Sequence, residues 1–216
     1  LELAVEAKAA MIEDLLGLFQ QQAEFLGNNE SIKSVNSGSR NDDEPSFIEA
    51  WNLLHTYQES QWGFYHHVYL ADVNGDVFLS PNHAPSDPTL SATSVNAQSG
   101  HFGQNISESS FFAPSLSSVQ ITGFFSFDET DHYHQLLMYP IKDGDGVTQS
   151  VLCFEIEIGY VEQLLQGGLD PASTGTLYPA SLEGNRVVRN KAAFGLTMHA
   201  ESVADVIEAN GVTAEF

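Results

Sequence analysis

The hydrophobic pattern of this chain changes its period near residue 63, and this change limits the folds open to it. Between Ile12 and Leu26, apolar side chains recur at three- and four-residue steps, which predicts a long amphipathic helix. Pro45 opens a second predicted helix with the same spacing, ending near Gly63. The first third of the chain is therefore predicted to be helical.

After residue 63 the period is two, as in half-buried strands. The stretch "FYHHVYLADVNGDVFLS" places two β-branched and aromatic runs around Asn74-Gly75, which is a strong hairpin signal. Three more strands are predicted at "VQITGFFSF", "HYHQLLMYPI" and "VTQSVLCFEIEI". Helices followed by about five antiparallel strands predict an α+β fold.

The chain is strongly acidic, and this excludes one class of partner. Seven Lys and Arg residues against 29 Asp and Glu give a formal charge of -22. Such a surface repels phosphates, so no nucleic acid partner is expected. The single cysteine, Cys153, excludes an internal disulfide. No run approaches the roughly 20 apolar residues of a membrane span.

The sequence carries no recognisable catalytic or cofactor motif. It has no Gly-x-Ser-x-Gly elbow, phosphate-binding loop or His-Glu-x-x-His helix, and "HFGQ" and "SES" are too generic to indicate chemistry. We therefore expect a protein that is not an enzyme and needs no cofactor. An acid–base role for Glu155 with Asp131 stays open in the absence of geometry.

Composition and element order divide the chain into three predicted parts. Residues 1–62 form a helical region, residues 63–166 form the sheet lobe, and residues 167–216 form a small or incomplete second lobe. The Ser-, Pro- and Asn-rich segment from about residue 81 to 116 is long for a loop in a compact domain. We expect it to cover a pocket.

This order of elements resembles that of the Cache domains, which are extracytoplasmic PAS-like sensors of bacterial chemoreceptors and histidine kinases. The resemblance lies in the long first helix, in "VYLADVNGDVFLSP", in "LLMYPIKDGDG" passing into "SVLCFEIEI", and in "GLDPASTGTLYPASLEGNRVV" as the start of a second lobe. It implies the periplasmic or extracellular portion of an inner-membrane receptor, anchored by flanking spans outside this sequence. It also implies a small-molecule ligand in the membrane-distal lobe.

Glu155 is the main candidate binding residue. Alternation along the last strand puts Leu152, Phe154 and Ile156 on one face and Glu155 on the other, beneath the long loop. A buried carboxylate needs a partner. The alternatives are that Glu155 reaches solvent at a sheet edge, or that it pairs with Arg186 or Lys142.

The resemblance implies a role for Glu155, because related sensors of amino acids hold the ligand amine with an acidic residue at the similar place. In those sensors an Arg for the ligand carboxylate precedes an aromatic pair, whereas here Ser109 precedes Phe111 and Phe112. The sequence therefore favours an amine or quaternary ammonium ligand, held by Glu155 and by aromatic faces. Candidate aromatic residues are Phe111, Phe112, Tyr133 and Tyr139, which are otherwise ordinary core residues.

Histidines form a second candidate cluster. His132 and His134 share one face of a predicted strand, and His67 on the first strand is able to join them at a metal, with Asp131 as a further ligand. The alternative is that these histidines are solvated beside a turn. "DVNGD" and "DGDG" are predicted to be turns because neither continues as a calcium loop.

Two other partners remain open. The long loop or the sheet is an alternative docking surface for a periplasmic binding protein in place of a small ligand. The apolar face of the first helix predicts either packing on the sheet of its own domain or a homodimer.

Overall fold

The computed structural model describes residues 2–37, 44–61, 64–83, 101–125 and 134–157. The chain begins with three helices: α1 (Glu2–Gly27), α2 (Glu30–Ser37) and α3 (Pro45–Ser60). Two strands follow, β1 (Tyr65–Asp72) and β2 (Val77–Leu79). The last described elements are the short helix α4 (Phe112–Ser115) and strands β3 (Gln120–Phe125), β4 (His134–Lys142) and β5 (Thr148–Glu157). The five strands form one sheet in the order β2-β1-β5-β4-β3, and β1 is antiparallel to both β2 and β5. The predicted α+β fold is confirmed.

The chain divides into two compact units. One comprises Phe19–Thr122 and Leu136–Ile156, and the other comprises Leu1–Leu18, Gly123–Gln135 and Glu157–Phe216. The end of the predicted sheet lobe, from residue 158, and the second lobe predicted at residues 167–216 lie outside the described residues, so the three predicted parts stay predictions. Among the described helices, none combines the length and the apolar character that crossing a bilayer requires.

Helix α2 was not predicted. It lies in the polar stretch after α1, and the few apolar residues in its sequence do not indicate a helix that contributes to the core. Yet Ile32 and Val35, three residues apart, are completely buried. Two apolar side chains on one helix face are enough to anchor a short helix that polar residues otherwise surround.

Aromatic side chains fasten α1 and α3 to one face of the sheet. The Tyr65 ring lies 5.3 Å from that of Phe19 in α1, 5.8 Å from that of Tyr57 in α3 and 5.2 Å from that of Phe154 in β5. Gln22 Oε1 accepts hydrogen bonds from the hydroxyl groups of both Tyr57 and Tyr65. This helix face of the sheet is therefore the one that carries Phe154, and Glu155 points to the opposite face.

A bulge in β1 decides which of its side chains reach each face. Tyr65 pairs with Ile156, but the next pair is His67 with Glu155, so His66 is an extra residue on β1. An extra residue shifts the alternation by one. As a result Tyr65 joins the helix face, whereas His67 lies beside Glu155 on the other face, which we call the polar face.

The turn between β1 and β2 is built around one aspartate. Asp72 Oδ1 accepts hydrogen bonds from the backbone N–H groups of Asn74 at 2.8 Å and Asp76 at 3.1 Å. Gly75 completes the turn with a φ of 87°, in the left-handed region that glycine adopts without steric cost.

The turn between β4 and β5 repeats this construction. Asp143 Oδ1 accepts from the N–H groups of Asp145 at 3.0 Å and Val147 at 2.9 Å, and Gly146 has a φ of 80°. Both aspartates therefore serve the backbone, as predicted when the two stretches were interpreted as turns.

The exposed side of α1 carries two large apolar side chains. Leu18 and Phe25, seven residues apart, are 47% and 69% exposed. A seven-residue repeat is the spacing at which helices pair. The homodimer through this helix stays a prediction.

We expect the two turn glycines to differ in how much they resist substitution. A Cβ at Gly75 would lie 2.6 Å from the backbone nitrogen of Ser107, whereas at Gly146 it would meet nothing within 4 Å. Gly146→Ala should lower the free energy of unfolding by about 1–2 kcal/mol through the left-handed backbone alone. Gly75→Ala should cost more, because the segment holding Ser107 must also move. Urea denaturation measures both.

Gly144→Ala is the matched control, because Gly144 has no positive φ and no neighbour within 4 Å of its added Cβ. It should be neutral or slightly stabilising. Equal losses for Gly75→Ala and Gly146→Ala would contradict the close packing at Gly75.

Candidate functional site

Glu155 forms a buried ion pair with His101. Glu155 is fully buried on β5, the middle strand of the sheet, and its Oε1 lies 2.6 Å from His101 Nε2. The alternative of a solvent-exposed carboxylate at a sheet edge is therefore wrong. Lys142 is not its partner either, because Lys142 Nζ donates to the carbonyl of Ser117 at 3.3 Å. Arg186 lies outside the described residues.

The segment that carries His101 is held against β2 by backbone hydrogen bonds. Gly103 N–H donates to the Val77 carbonyl, and Val77 N–H donates to the Gln104 carbonyl, both at 2.9 Å. His101 itself has a φ of 62°, the one positive φ at a non-glycine residue in the described part of the chain. Such strained positions persist where the surroundings hold them, and they cluster at functional sites.

The contacts of the His101 ring indicate that it is protonated on both nitrogens. Nδ1 lies 2.8 Å from Gln104 Oε1, which only accepts hydrogen bonds, and Nε2 faces the Glu155 carboxylate. Burial lowers the pKa of His101, but the hydrogen bond and the charge of Glu155, with the hydrogen bond to Gln104, raise it overall. The pair therefore consists of an imidazolium and a carboxylate.

Tyr69 closes the site from β1. Its ring is fully buried and lies 5.3 Å from that of His101. Burial raises the pKa of Tyr69 well above its usual range, and nearby Cys153 and Glu155 raise it further. Hydrogen bonding of the Tyr69 hydroxyl to Glu155 and Cys153 contributes to this rise. Among the described residues, however, neither this hydroxyl nor either Glu155 oxygen has a hydrogen bond of regular geometry, apart from the ion pair of Oε1 with His101. Two buried polar atoms thus retain unused hydrogen-bonding capacity, which is rare in native proteins.

Cys153 lies on the same face and is fully buried. Burial raises the pKa of its thiol, and the charge of Glu155 raises it further. The thiol therefore stays neutral beside the ion pair, and packs as a small apolar group.

A directional chain of hydrogen bonds sets the tautomer of His67. Val68 N–H donates to Gln58 Oε1 at 3.1 Å, Gln58 Nε2 donates to Asn82 Oδ1 at 3.1 Å, and Asn82 Nδ2 lies 2.8 Å from His67 Nδ1. Because the first donor is a backbone N–H, every later direction is fixed. His67 Nδ1 must accept, so the ring is neutral with its proton on Nε2. This ring lies 5.7 Å from that of His101.

The predicted aromatic pair, Phe111 and Phe112, lies at the start of the short helix α4. Phe112 is buried and begins α4, and Phe111 precedes it half-buried. Ser109 Oγ accepts from Phe111 N–H at 3.4 Å, and the Ser109 carbonyl accepts from Phe112 N–H at 3.0 Å. Within the described residues, no ring contact joins either phenylalanine to Tyr69 or His101. Ser109 thus stabilises the backbone at the start of α4 through these two hydrogen bonds.

Tyr139 lies on the other face of the sheet from Glu155. A Cβ added to Gly27 of α1 would come within 2.8 Å of the Tyr139 ring, so this tyrosine packs on the helix face. It therefore does not belong to the Glu155 cluster. Tyr133, the fourth predicted aromatic residue, lies outside the described residues.

Two of the predicted metal ligands have other neighbours in the structure. His67 Nδ1 is engaged by Asn82, and His134, in the other compact unit, has its Nε2 3.5 Å from Glu157 Oε2. His132 and Asp131 lie outside the described residues. A metal site made of these residues stays a prediction.

Sequence reasoning missed His101 and Gln104, which stood in the "HFGQ" that looked generic. One available signal was their spacing around Gly103, in a long loop predicted to cover a pocket. A second was the alternation of β1, which puts Tyr69 on the same face as His67. Neither signal identifies the partner of Glu155, because loop and strand meet only in the folded chain.

Comparisons with known proteins support the fold. No protein-family model matches the sequence, and none of the curated proteins does. Among solved structures, the sensor domain of the histidine kinase DctB from Vibrio cholerae matches with a TM-score of 0.57 and 14% identity, covering 76% of this chain and 57% of that one. The chain has the fold of the PAS-like Cache sensor domains. The resemblance predicted from the sequence is confirmed at the level of the fold.

Two further structures share this fold. A domain of a sensory box/GGDEF family protein from Vibrio parahaemolyticus has a TM-score of 0.55 and 13% identity over 78% of this chain and 62% of that one. The sensory domain of the Campylobacter jejuni chemoreceptor Tlp3 with isoleucine bound has a TM-score of 0.51 and 19% identity over 74% and 59%. The chain spans about three fifths of the length of these structures.

We predict that Glu155→Gln destabilises the protein more in acid than in base. The pKa of His101 is raised in the folded state, so the stability it contributes is fully present below its unfolded-state pKa and is lost as pH rises through the folded-state value. The loss should be about 1.5–3 kcal/mol at about pH 5.5, as for a hydrogen bond to a charged group, and smaller at about pH 9. Urea denaturation at both pH values measures it.

Glu59→Gln, at an exposed position of α3, removes the same charge without touching the cluster and should leave stability nearly unchanged at both pH values. If Glu155→Gln costs the same free energy in acid and in base, the site does not hold a protonated His101.

Proposed function

We propose that this chain is the ligand-sensing domain of the extracytoplasmic part of a transmembrane signalling receptor. We further propose that it binds a small molecule through an ammonium group at Glu155. The observation that supports this most is the fully buried Glu155 carboxylate, which among the described residues pairs with His101 and has no hydrogen bond of regular geometry.

The chemistry of this carboxylate favours a cationic group. An ionised carboxylate has several acceptor sites, and His101 uses one of them. Leaving the others unpaired in a buried site costs free energy, and a charged N–H donor recovers most of it. The neighbouring Tyr69 ring adds an aromatic surface, which attracts cations.

The structures that share this fold agree with a sensing role. They include a histidine kinase sensor domain and a chemoreceptor domain holding isoleucine, itself a molecule with an ammonium group. We propose that α1 of this chain continues from a membrane span and that the domain recognises its ligand without changing it chemically.

A ligand without a carboxylate fits the described residues better than an amino acid does. Ser109, at the position where the resemblance implies an arginine, has no charge and bonds to the backbone of its own turn. The positive charge of His101 is committed to Glu155. A ligand carboxylate would therefore meet no free cation among these residues.

The test is the thermal stability of the protein against ethanolamine, putrescine, choline, glycine betaine, isoleucine and succinate. A ligand at 100 times its Kd stabilises by about 2.7 kcal/mol, which raises the Tm by roughly 5–10 °C in a domain of this size. We expect at least one amine to act in this way and Glu155→Gln to abolish the shift.

Glu59→Gln should keep the full amine response, because Glu59 is exposed on α3. Stabilisation by succinate alone, or an amine response that survives Glu155→Gln, would overturn the amine proposal. Silence across all six compounds would favour a protein partner over a small molecule.

A further inference from the structure

We propose that the site exchanges a proton for its ligand: a primary ammonium group takes the place of the His101 proton at Glu155, and each binding event releases one proton to water. This inference rests on the proposed amine ligand and adds the class of amine and the pH dependence of its binding.

A cation already lies beside the Glu155 carboxylate. His101 Nε2 lies 2.6 Å from Glu155 Oε1, where the ammonium group of a ligand would bind this carboxylate. The protein thus supplies a tethered cation of its own to the carboxylate that we assign to the ligand. The ligand must compete with that cation.

The net charge of the buried pair limits what else can bind to it. The Glu155 side chain is fully buried and that of His101 is 11% exposed, so their opposite charges cancel in a poorly solvated place. An ammonium ion added to this pair would leave one positive charge unbalanced. Burying an unpaired charge is costly, and the ordinary response of a protein is to neutralise a group by proton transfer.

His101 is the group that loses the proton. The titratable groups that face His101 are Glu155 on β5 and Tyr69 and His67 on β1, with Cys153 beside them. Burial keeps the Tyr69 hydroxyl and the Cys153 thiol neutral, and Asn82 holds His67 neutral. Among the described residues of this cluster, only His101 carries a positive charge to give up.

The exchange balances in atoms and charge. The Nε2–H bond of His101 breaks, its electron pair stays on Nε2 and its proton goes to water. Nδ1 keeps its hydrogen and its bond to Gln104, which is exposed. The ammonium group of the ligand then takes over the charge interaction with Glu155.

The resulting site has three acceptors close together: Glu155 Oε1, Glu155 Oε2 and the deprotonated His101 Nε2. A primary ammonium group has three N–H donors, as does a lysine side chain. A quaternary ammonium group has none. His101 is therefore a specificity-determining residue that favours primary amines over their methylated counterparts.

Ethanolamine and choline are the matched probes, because choline is the N-trimethyl form of ethanolamine. Isothermal titration calorimetry of the whole chain, in two buffers of different ionisation enthalpy, measures the protons released. For ethanolamine we expect about one proton released per ligand. Its binding should become about tenfold tighter for each unit by which the pH is raised toward neutrality, because a higher pH favours loss of the His101 proton. Choline should bind at least about tenfold more weakly than ethanolamine.

His101→Gln removes the tethered charge. In this variant ethanolamine binding should release no proton and lose its pH dependence over the same range. His55→Gln, at a histidine of α3 whose ring stacks on Trp51 and not on the cluster, should behave like the unaltered protein. If His101→Gln does not fold, the imidazole signals of His101 in the unaltered protein provide the same answer by NMR, because ethanolamine should convert the ring from charged to neutral at about pH 6.5.

The outcomes separate this inference from the proposed function. Ethanolamine binding that depends on Glu155 but releases no proton, or that releases the same proton in His101→Gln, overturns the exchange and leaves the amine sensor standing. Binding of neither probe to the unaltered protein or to His101→Gln overturns both.

Discussion

The ion pair between Glu155 and His101 is the interaction on which the rest of the polar face depends. It exists only because the segment after residue 100 lies along β2, and that segment fits only because Gly75 leaves room for Ser107. A turn at the tip of a hairpin thus determines whether a carboxylate in the central strand has a partner. The ion pair that offsets the cost of burying the Glu155 charge therefore depends on a turn that is distant from Glu155 in the sequence.

The sheet separates two chemically different layers. On the helix face, aromatic rings and two tyrosine hydroxyl groups fasten α1 and α3 to β1 and β5. On the polar face, ionisable side chains gather around Glu155. The bulge at His66 makes both layers possible with one strand, since without it Tyr65 would share a face with His67. A packed layer on one side leaves the other side available for recognition.

Much of the fold followed from local patterns. The change of period, Pro45 and Asn74-Gly75 were sufficient to predict two of the long elements and the first hairpin, because they depend on near neighbours in sequence. Alternation along β5 also placed Glu155 on the face away from the helices. The partner of Glu155 could not be predicted, because His101 reaches it through a left-handed backbone in a loop. Tyr139 was assigned to the site by residue type, and only contact with α1 shows which face it occupies.

The hydrogen bonds that lead from Val68 to His67 determine which ring nitrogen of His67 acts as an acceptor. If His67 took a second proton on Nδ1, the Asn82 amide would have to turn over, and its nitrogen would then face that of Gln58, which the Val68 N–H holds in place. Helix α3 therefore decides which atom this histidine presents beside Glu155. Two neighbouring imidazoles thereby acquire opposite hydrogen-bonding roles: His101 donates from both ring nitrogens, whereas His67 accepts at Nδ1.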